Sequence, residues 1–199
     1  MIIIINFKKY ATGKKAIKLA QTFEKVTLSK KATIVLAVQT NDLKKISSIV
    51  QIPVIAQQVD NLSRIKKGIG SLVNHSDHPL TLLKIKRAVV QLRKNRLISI
   101  ACAPNSSMVK KIARFKPDLI AIEPPELIGG SKAVSTTKPG EVRKAVQAAN
   151  GIPLLCGAGI KTRADVIAAQ KLGVQGILVS SGVVKAKSPA KALQELLLN

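Results

Sequence analysis

Eight short apolar runs recur along the chain, each followed by a stretch with helical spacing, and this rhythm limits the possible folds most. The runs are Ile2–Ile5, Thr33–Val38, Pro53–Gln57, Ile69–Val73, Leu97–Ala101, Leu119–Ile122, Ile152–Leu155 and Gly176–Val179. They are rich in Ile, Val and Leu without polar alternation, the pattern of parallel strands covered on both faces. Between them, Ala16, Leu19, Ala20, Phe23 and Val26 make one apolar helical stripe, and Leu82, Ile85, Val89 and Leu92 make another. Lys84, Lys86, Arg87 and Arg93 face away from the second stripe. Asn41-Asp42, Ser106-Ser107, Thr162 and Ser188-Pro189 supply N-cap chemistry, and Gly173 a helix stop.

Eight strands alternating with helices predict an α/β fold, a (β/α)8 barrel, with a doubly wound open sheet as runner-up because strand count alone does not decide closure. The 199 residues, 46% of them hydrophobic, suffice for one sizeable core and are read as a single domain spanning 1–199. This is near the lower size limit of about 200 residues for such a barrel. One unit is clipped. Only the 14 residues from Asn61 to Asn74 separate Asp60 from His75, yet they must hold a helix and the fourth strand. The third connection therefore has no room for a long projecting loop.

Charge narrows the function. The chain carries 33 basic and 10 acidic residues, a net charge of +23. The basic residues are spread in pairs such as Lys14-Lys15, Lys44-Lys45, Lys66-Lys67 and Lys110-Lys111, not gathered into a tail. Phe7, Tyr10, Phe23 and Phe115 are the only aromatics, which nearly excludes a base-stacking platform. Nonspecific polyanion contact through phosphate backbones stays physically plausible as a side effect. No run of 18 apolar residues appears and the first residues lack the features of a signal peptide, so no membrane span and a cytoplasmic location are expected. Cys102 and Cys156 each sit inside an apolar run and read as reduced core thiols.

In a βα barrel, reactive groups gather at the carboxyl ends of the strands. Strand six ends on Glu123, followed by two prolines and a short apolar segment leading to Gly129-Gly130. A carboxylate at a strand tip beside a stiff, hinged loop suits proton transfer, although an ion pair with a lysine would place it there too. Strand one ends in Asn6-Phe7-Lys8, an amide and an ammonium able to hold a phosphorylated, carbonyl-bearing ligand, or else a capped turn with a solvated lysine. Strand four ends in Asn74-His75-Ser76-Asp77-His78. His75, read as lying in the first turn before a helix, would have its pKa depressed by the helix N-terminus and act as a neutral hydrogen-bond donor. His78 reads as a surface residue. No third ligand at sensible spacing joins the two histidines, so no metal is expected. Strand seven runs into Cys156-Gly-Ala-Gly159 and strand eight into Ser180-Ser-Gly182, small residues that let backbone N–H groups approach a phosphate.

Taken in order, Asn-Phe-Lys, Asn-His-Ser, Glu-Pro-Pro-Glu-Leu-Ile-Gly, Cys-Gly-Ala-Gly-Ile and Ser-Gly-Val resemble the triosephosphate isomerase family in its compact archaeal form, across essentially the whole chain. The resemblance implies a TIM barrel that interconverts dihydroxyacetone phosphate and glyceraldehyde 3-phosphate without a cofactor. It implies that Asn6 and Lys8 bind substrate, that His75 is the electrophile and Glu123 the base. It further implies that Gly129, Gly159, Ser180 and Ser181 donate backbone N–H groups to the phosphate, and that the Pro124–Gly130 loop closes over the site. Asp77 stands where the family usually has glutamate, and Gly130-Ser131 where the far hinge usually reads Thr-Gly. In relatives the third loop braces a neighbouring subunit. With that unit clipped, a monomer or a non-standard homo-oligomer is expected. Another phosphosugar barrel enzyme and a non-catalytic basic nucleic-acid-binding barrel are the alternatives.

Overall fold

The computed structural model describes residues 1–27, 32–130 and 132–197. Eight parallel strands form a closed barrel in sequence order: β1 Ile2–Asn6, β2 Thr33–Val38, β3 Val54–Ala56, β4 Gly70–Val73, β5 Ile98–Ala103, β6 Leu119–Ile122, β7 Leu154–Gly157 and β8 Gly176–Val179. Closure rests on β1 pairing with β8, from Ile2↔Gly176 to Ile5↔Val179, which excludes the open sheet. Each run expected from the sequence holds a strand; β2, β6 and β8 match end for end, and the other five differ at one or both ends. Strand seven moves furthest. Ile152 belongs to the turn built on Asn150 and Gly151, both in the left-handed backbone region, while Cys156 and Gly157 pair with Ile177 and Leu178.

The helices are α1 Gly13–Thr27, α2 Thr40–Ser47, α3 Leu62–Ile65, α4 Leu82–Lys94, α5 Ser106–Ala113, α6 Val134–Thr137, α7 Pro139–Ala148, α8 Arg163–Lys171, α9 Ser181–Val184 and α10 Pro189–Leu197. The α1 stripe is buried throughout. Phe23 meets Phe7 edge-to-face at 6.0 Å, a contact worth about 1 kcal/mol beyond its burial. In α4, Ile85, Val89 and Leu92 are buried but Leu82 is not, because it opens the helix above the edge of the core.

Two of the four expected caps are displaced. The α2 helix begins at Thr40 behind Gln39, which makes no side-chain cap. Asn41 and Asp42 lie within its first turn, and the Asp42 carboxylate accepts from the Gly13 N–H at 3.0 Å, tying α2 to the start of α1. The α5 cap is Asn105, whose side chain accepts from the Met108 N–H at 2.9 Å, and Ser106 is already helical. Thr162 caps α8 in a reciprocal box with Asp165, Pro189 opens α10, and Gly173, with φ 92°, follows the end of α8 in the left-handed conformation.

The clipped unit is borne out. The α3 helix has 4 residues, and β3 meets β4 through a single pair, Ala56↔Ser71. Strand periodicity sorts the core into two layers. Ile4, Ala37, Ile55, Leu72, Ile100 and Leu178 are among those filling the barrel interior, while Ile3, Ile5, Leu36 and Ile122 are among those packing under the helices. Among the described residues, no helix is long and apolar enough to cross a membrane.

Candidate active site

The same alternation fixes what points into the barrel mouth. Continuing the inward register by two residues brings in Asn6 beyond Ile4, Gln39 beyond Ala37, Gln57 beyond Ile55, and Cys102 beyond Ile100. Glu123 follows Ala121, Gly157 follows Leu155 and Ser180 follows Leu178 in the same way. Lys8, Glu123, Gly129, Gly159, Ser180 and Ser181 line one pocket at these strand ends. His75 borders it. Its Nε2 lies 3.8 Å from Glu123 Oε2, and the ring is 1% exposed.

Asn74, with φ 59°, turns the chain at the end of β4 and pins the turn from both sides. Its amide donates to the Cys102 carbonyl at 2.9 Å and accepts from the Leu80 N–H at 2.8 Å. That turn sets the imidazole. The Asp77 backbone N–H donates to His75 Nδ1 at 3.2 Å, which leaves the proton of a neutral ring on Nε2. Burial and the Lys8 ammonium hold His75 down at about 4, so the ring is neutral at pH 7. The neutral donor expected from sequence is there, but its cause differs. The helix after it, α4, starts at Leu82, too far along the chain for its dipole to act.

Asn6 faces the same point. Its Oδ1 accepts the Lys8 N–H at 3.0 Å, so its Nδ2 is turned toward His75 Nε2, 3.2 Å away. Both facing nitrogens carry hydrogen and neither satisfies the other. Two donors thus converge where an oxygen of a third molecule would sit.

Glu123 is the anion of the mouth. Burial pushes its carboxyl up to about 7, against the opposing pull of a hydrogen bond with Cys102 and of the Lys8 charge. Its buried Oε2 has no hydrogen-bond partner among the described residues. Among the described residues no lysine forms an ion pair with Glu123, and Lys8 Nζ pairs with Asp77 at 3.3 Å. Both cysteines are free and buried. Burial, with the nearby Glu123 charge, pushes the Cys102 thiol well above its usual range and Cys156 up to about 12, so neither is a nucleophile at neutral pH.

Lys8 holds a left-handed backbone (φ 48°), a conformation that costs a residue with a side chain roughly 1–2 kcal/mol. Contacts from within the chain keep it there. Asn6 takes its N–H, the Gln39 amide donates to its carbonyl at 3.1 Å, and Asp77 takes its ammonium. Gln57 hydrogen-bonds to Gln39 and donates to Asp77 at 3.1 Å, closing the ring of contacts. Gln39 and Gln57 went unremarked in the sequence, although their place two residues beyond an inward apolar position was a readable signal.

Beside Glu123, β6 exits through Pro124 into a 3-10 turn, Pro125–Leu127, followed by Gly129 with φ 75°. Glu126 of this turn forms an ion pair with Lys138. Of the far hinge, Gly130 donates to the Leu127 carbonyl at 3.1 Å, and Ser131 lies outside the described residues. Gly159 (φ 74°) passes so close to the Lys132 carbonyl that a Cβ there would lie 1.9 Å from it. Ser180 donates from Oγ to the Asn6 carbonyl at 2.7 Å, joining β8 to β1, and Ser181 opens α9.

Comparison with known proteins agrees with this geometry. The triosephosphate isomerase family model matches residues 1–64 and 66–196. The triosephosphate isomerase of Methanothermus fervidus is 40% identical over 215 aligned positions, covering 98% of this chain and 97% of that protein. The chain belongs to the triosephosphate isomerase family. The Archaeoglobus fulgidus family member is also 40% identical, with coverage of 98% and 96%. Among solved structures, a mutant tryptophan synthase α-subunit from Pyrococcus furiosus superposes with a TM-score of 0.74 at 16% identity, covering 98% of this chain and 97% of that one. That likeness speaks for the barrel alone. Family membership favours neither another phosphosugar barrel enzyme nor a non-catalytic nucleic-acid-binding barrel.

Proposed function

We propose that this family member interconverts dihydroxyacetone phosphate and glyceraldehyde 3-phosphate by proton transfer through an enediolate, with Glu123 as base. The observation that carries the reading is the unpartnered Glu123 oxygen, buried 3.8 Å from an imidazole fixed as an Nε2–H donor. Glu123 removes a proton from the carbon beside the substrate carbonyl. His75 Nε2–H and Asn6 Nδ2–H stabilise charge as it grows on the oxygens, and neutral donors do this without first binding a proton themselves. Lys8 balances the anion. The backbones of Gly129, Gly159, Ser180 and Ser181 hold the phosphate, and closure of the 124–130 loop keeps water from the intermediate. A coupled assay with either triose phosphate tests this, and absence of turnover in pure protein contradicts it.

The catalytic side chains should contribute one ionisation to the acid limb, that of Glu123. Only the carboxylate form of Glu123 accepts a proton, so kcat/KM rises tenfold per pH unit below about 7 and levels above it. His75, held at about 4, adds no second inflection between pH 5 and 7. The substrate phosphate ionises near about 6, so the Glu123 carboxyl is followed separately by 13C NMR. A carboxyl titrating near its ordinary value of about 4.5 contradicts the burial argument.

The four-residue α3 and the bracing of Lys8 by Gln39, Gln57 and Asp77 of its own chain support a monomer, or an oligomer that does not exchange its third loop. Light scattering should give a mass near 21.2 kDa or an assembly unaffected by changes in residues 58–66. A dimer dissolved by such changes contradicts it.

A further inference from the structure

A second cleft lies at the opposite end of the barrel. It has a volume of about 900 Å3 and runs between the carboxyl-terminal halves of α5 and α7 and the loops that lead into β6 and β7. Its charged lining consists of Lys110, Arg114, Lys116 and Lys144. Gln147 and Asn150 add polar groups, and no carboxylate lines it.

Ordinary helix chemistry accounts for only part of this charge. Lys110 is in the last turn of α5 and Arg114 is its C-cap, where cations complement the helix dipole. Lys144 lies outside the last turn of α7, and its charge acts on Glu141, three residues earlier on the same helix. Lys116 has φ 54°, a left-handed position that glycine or asparagine usually fills, and a long side chain stands there instead. Arg93 of α4 fixes this loop by donating to the Phe115 carbonyl at 2.8 Å and to the Lys116 carbonyl. Asp118, the nearest acid along the chain, is engaged by Ser99, whose N–H and hydroxyl both donate to it. From His78 to Pro117 the sequence holds ten lysines and arginines and no acid, so repulsion among these cations goes unrelieved by local carboxylates.

Several like charges along one open cleft call for a ligand that brings several negative charges in a row. No aromatic side chain lines the cleft, so bases cannot stack there and a single strand would gain nothing from its exposed bases. None of the exposed large apolar residues, Ile69, Leu82, Leu83 and Ile167, lines it either, which leaves no wedge for a lipid surface. A duplex keeps its bases stacked inside and offers only phosphates. We infer that this cleft binds the sugar–phosphate backbone of a nucleic-acid duplex without reading its sequence, at a site separate from the isomerase pocket.

The test measures binding of the full-length protein to a fluorescent 20-base-pair RNA duplex by anisotropy across a potassium chloride series. The cleft variant is Lys116→Glu with Lys144→Glu, and the charge-matched control is Lys14→Glu with Lys15→Glu on the exposed face of α1. The cleft variant should lose about tenfold or more in affinity, with a salt slope shallower by about 2, while the control loses less than about threefold. Isomerase kcat/KM should stay unchanged in both, which also shows that each folds. The milder Lys116→Gln with Lys144→Gln should weaken binding by a smaller factor. Equal losses in the cleft and control variants would mean that total charge alone acts, and would overturn the site. So would tighter binding to a single strand or to phosphatidylserine vesicles than to the duplex, or no binding by the unaltered protein.

Discussion

Glu123→Asp should lower kcat about a hundredfold to a thousandfold while KM changes little. The substitution keeps the charge and withdraws the carboxylate by one methylene, and a displacement of about 1 Å at a reacting atom costs roughly a hundredfold. Loss of well-placed general-base catalysis sets an upper range of about 10⁴-fold. The turns at Gly159 and Ser180, proposed to hold the phosphate, belong to other strands and are untouched, so a nonreacting phosphate ligand such as glycerol 3-phosphate should bind nearly as before. Steady-state kinetics together with calorimetry of that ligand separate the two effects. Unchanged turnover would remove Glu123 from the chemistry.

Gly157→Ala should act on the same carboxylate from the neighbouring strand. A Cβ at Gly157 would lie 2.5 Å from Glu123 Cγ and 3.0 Å from Oε1. Gly157 does not have a positive φ, so alanine strains nothing in the backbone and the whole effect falls on Glu123. The carboxylate must shift by a sizeable fraction of an ångström, and kcat should fall about tenfold to a hundredfold. The double variant with Glu123→Ala distinguishes displacement from general damage. Alanine at 123 removes the Cγ, Cδ and Oε1 that the new methyl would meet, so the double variant should be no slower than Glu123→Ala alone. Multiplying losses would contradict the steric argument.

The fold was legible because both strand and helix patterns are strong. Apolar runs such as Ile2–Ile5 bury alternate residues on the two sides of a parallel strand, and the short Asn61–Asn74 interval already required a small third unit. The ends of elements were less legible. Asp42 looked like a cap but bonds to Gly13 of another helix, and Asn105 competed with two adjacent serines for one capping role.

In the site, strand-end position pointed to Asn6, Lys8, His75 and Glu123. The contacts that tune them are long-range and leave no local pattern. The Asp77 N–H sets the histidine tautomer because Asn74 turns the chain, and the low His75 pKa follows from burial, which becomes visible only once the barrel closes. Gly157 looked like one more turn glycine until Glu123 was found against it.

Proton exchange at carbon tests the central claim most directly. Dihydroxyacetone phosphate is incubated in D2O with the unaltered protein and with Glu123→Gln, and the carbon beside the carbonyl is followed by 1H NMR. The account predicts deuterium at that carbon and formation of glyceraldehyde 3-phosphate with the unaltered protein, and neither above background with Glu123→Gln. Exchange that persists in Glu123→Gln at an undiminished rate would contradict it.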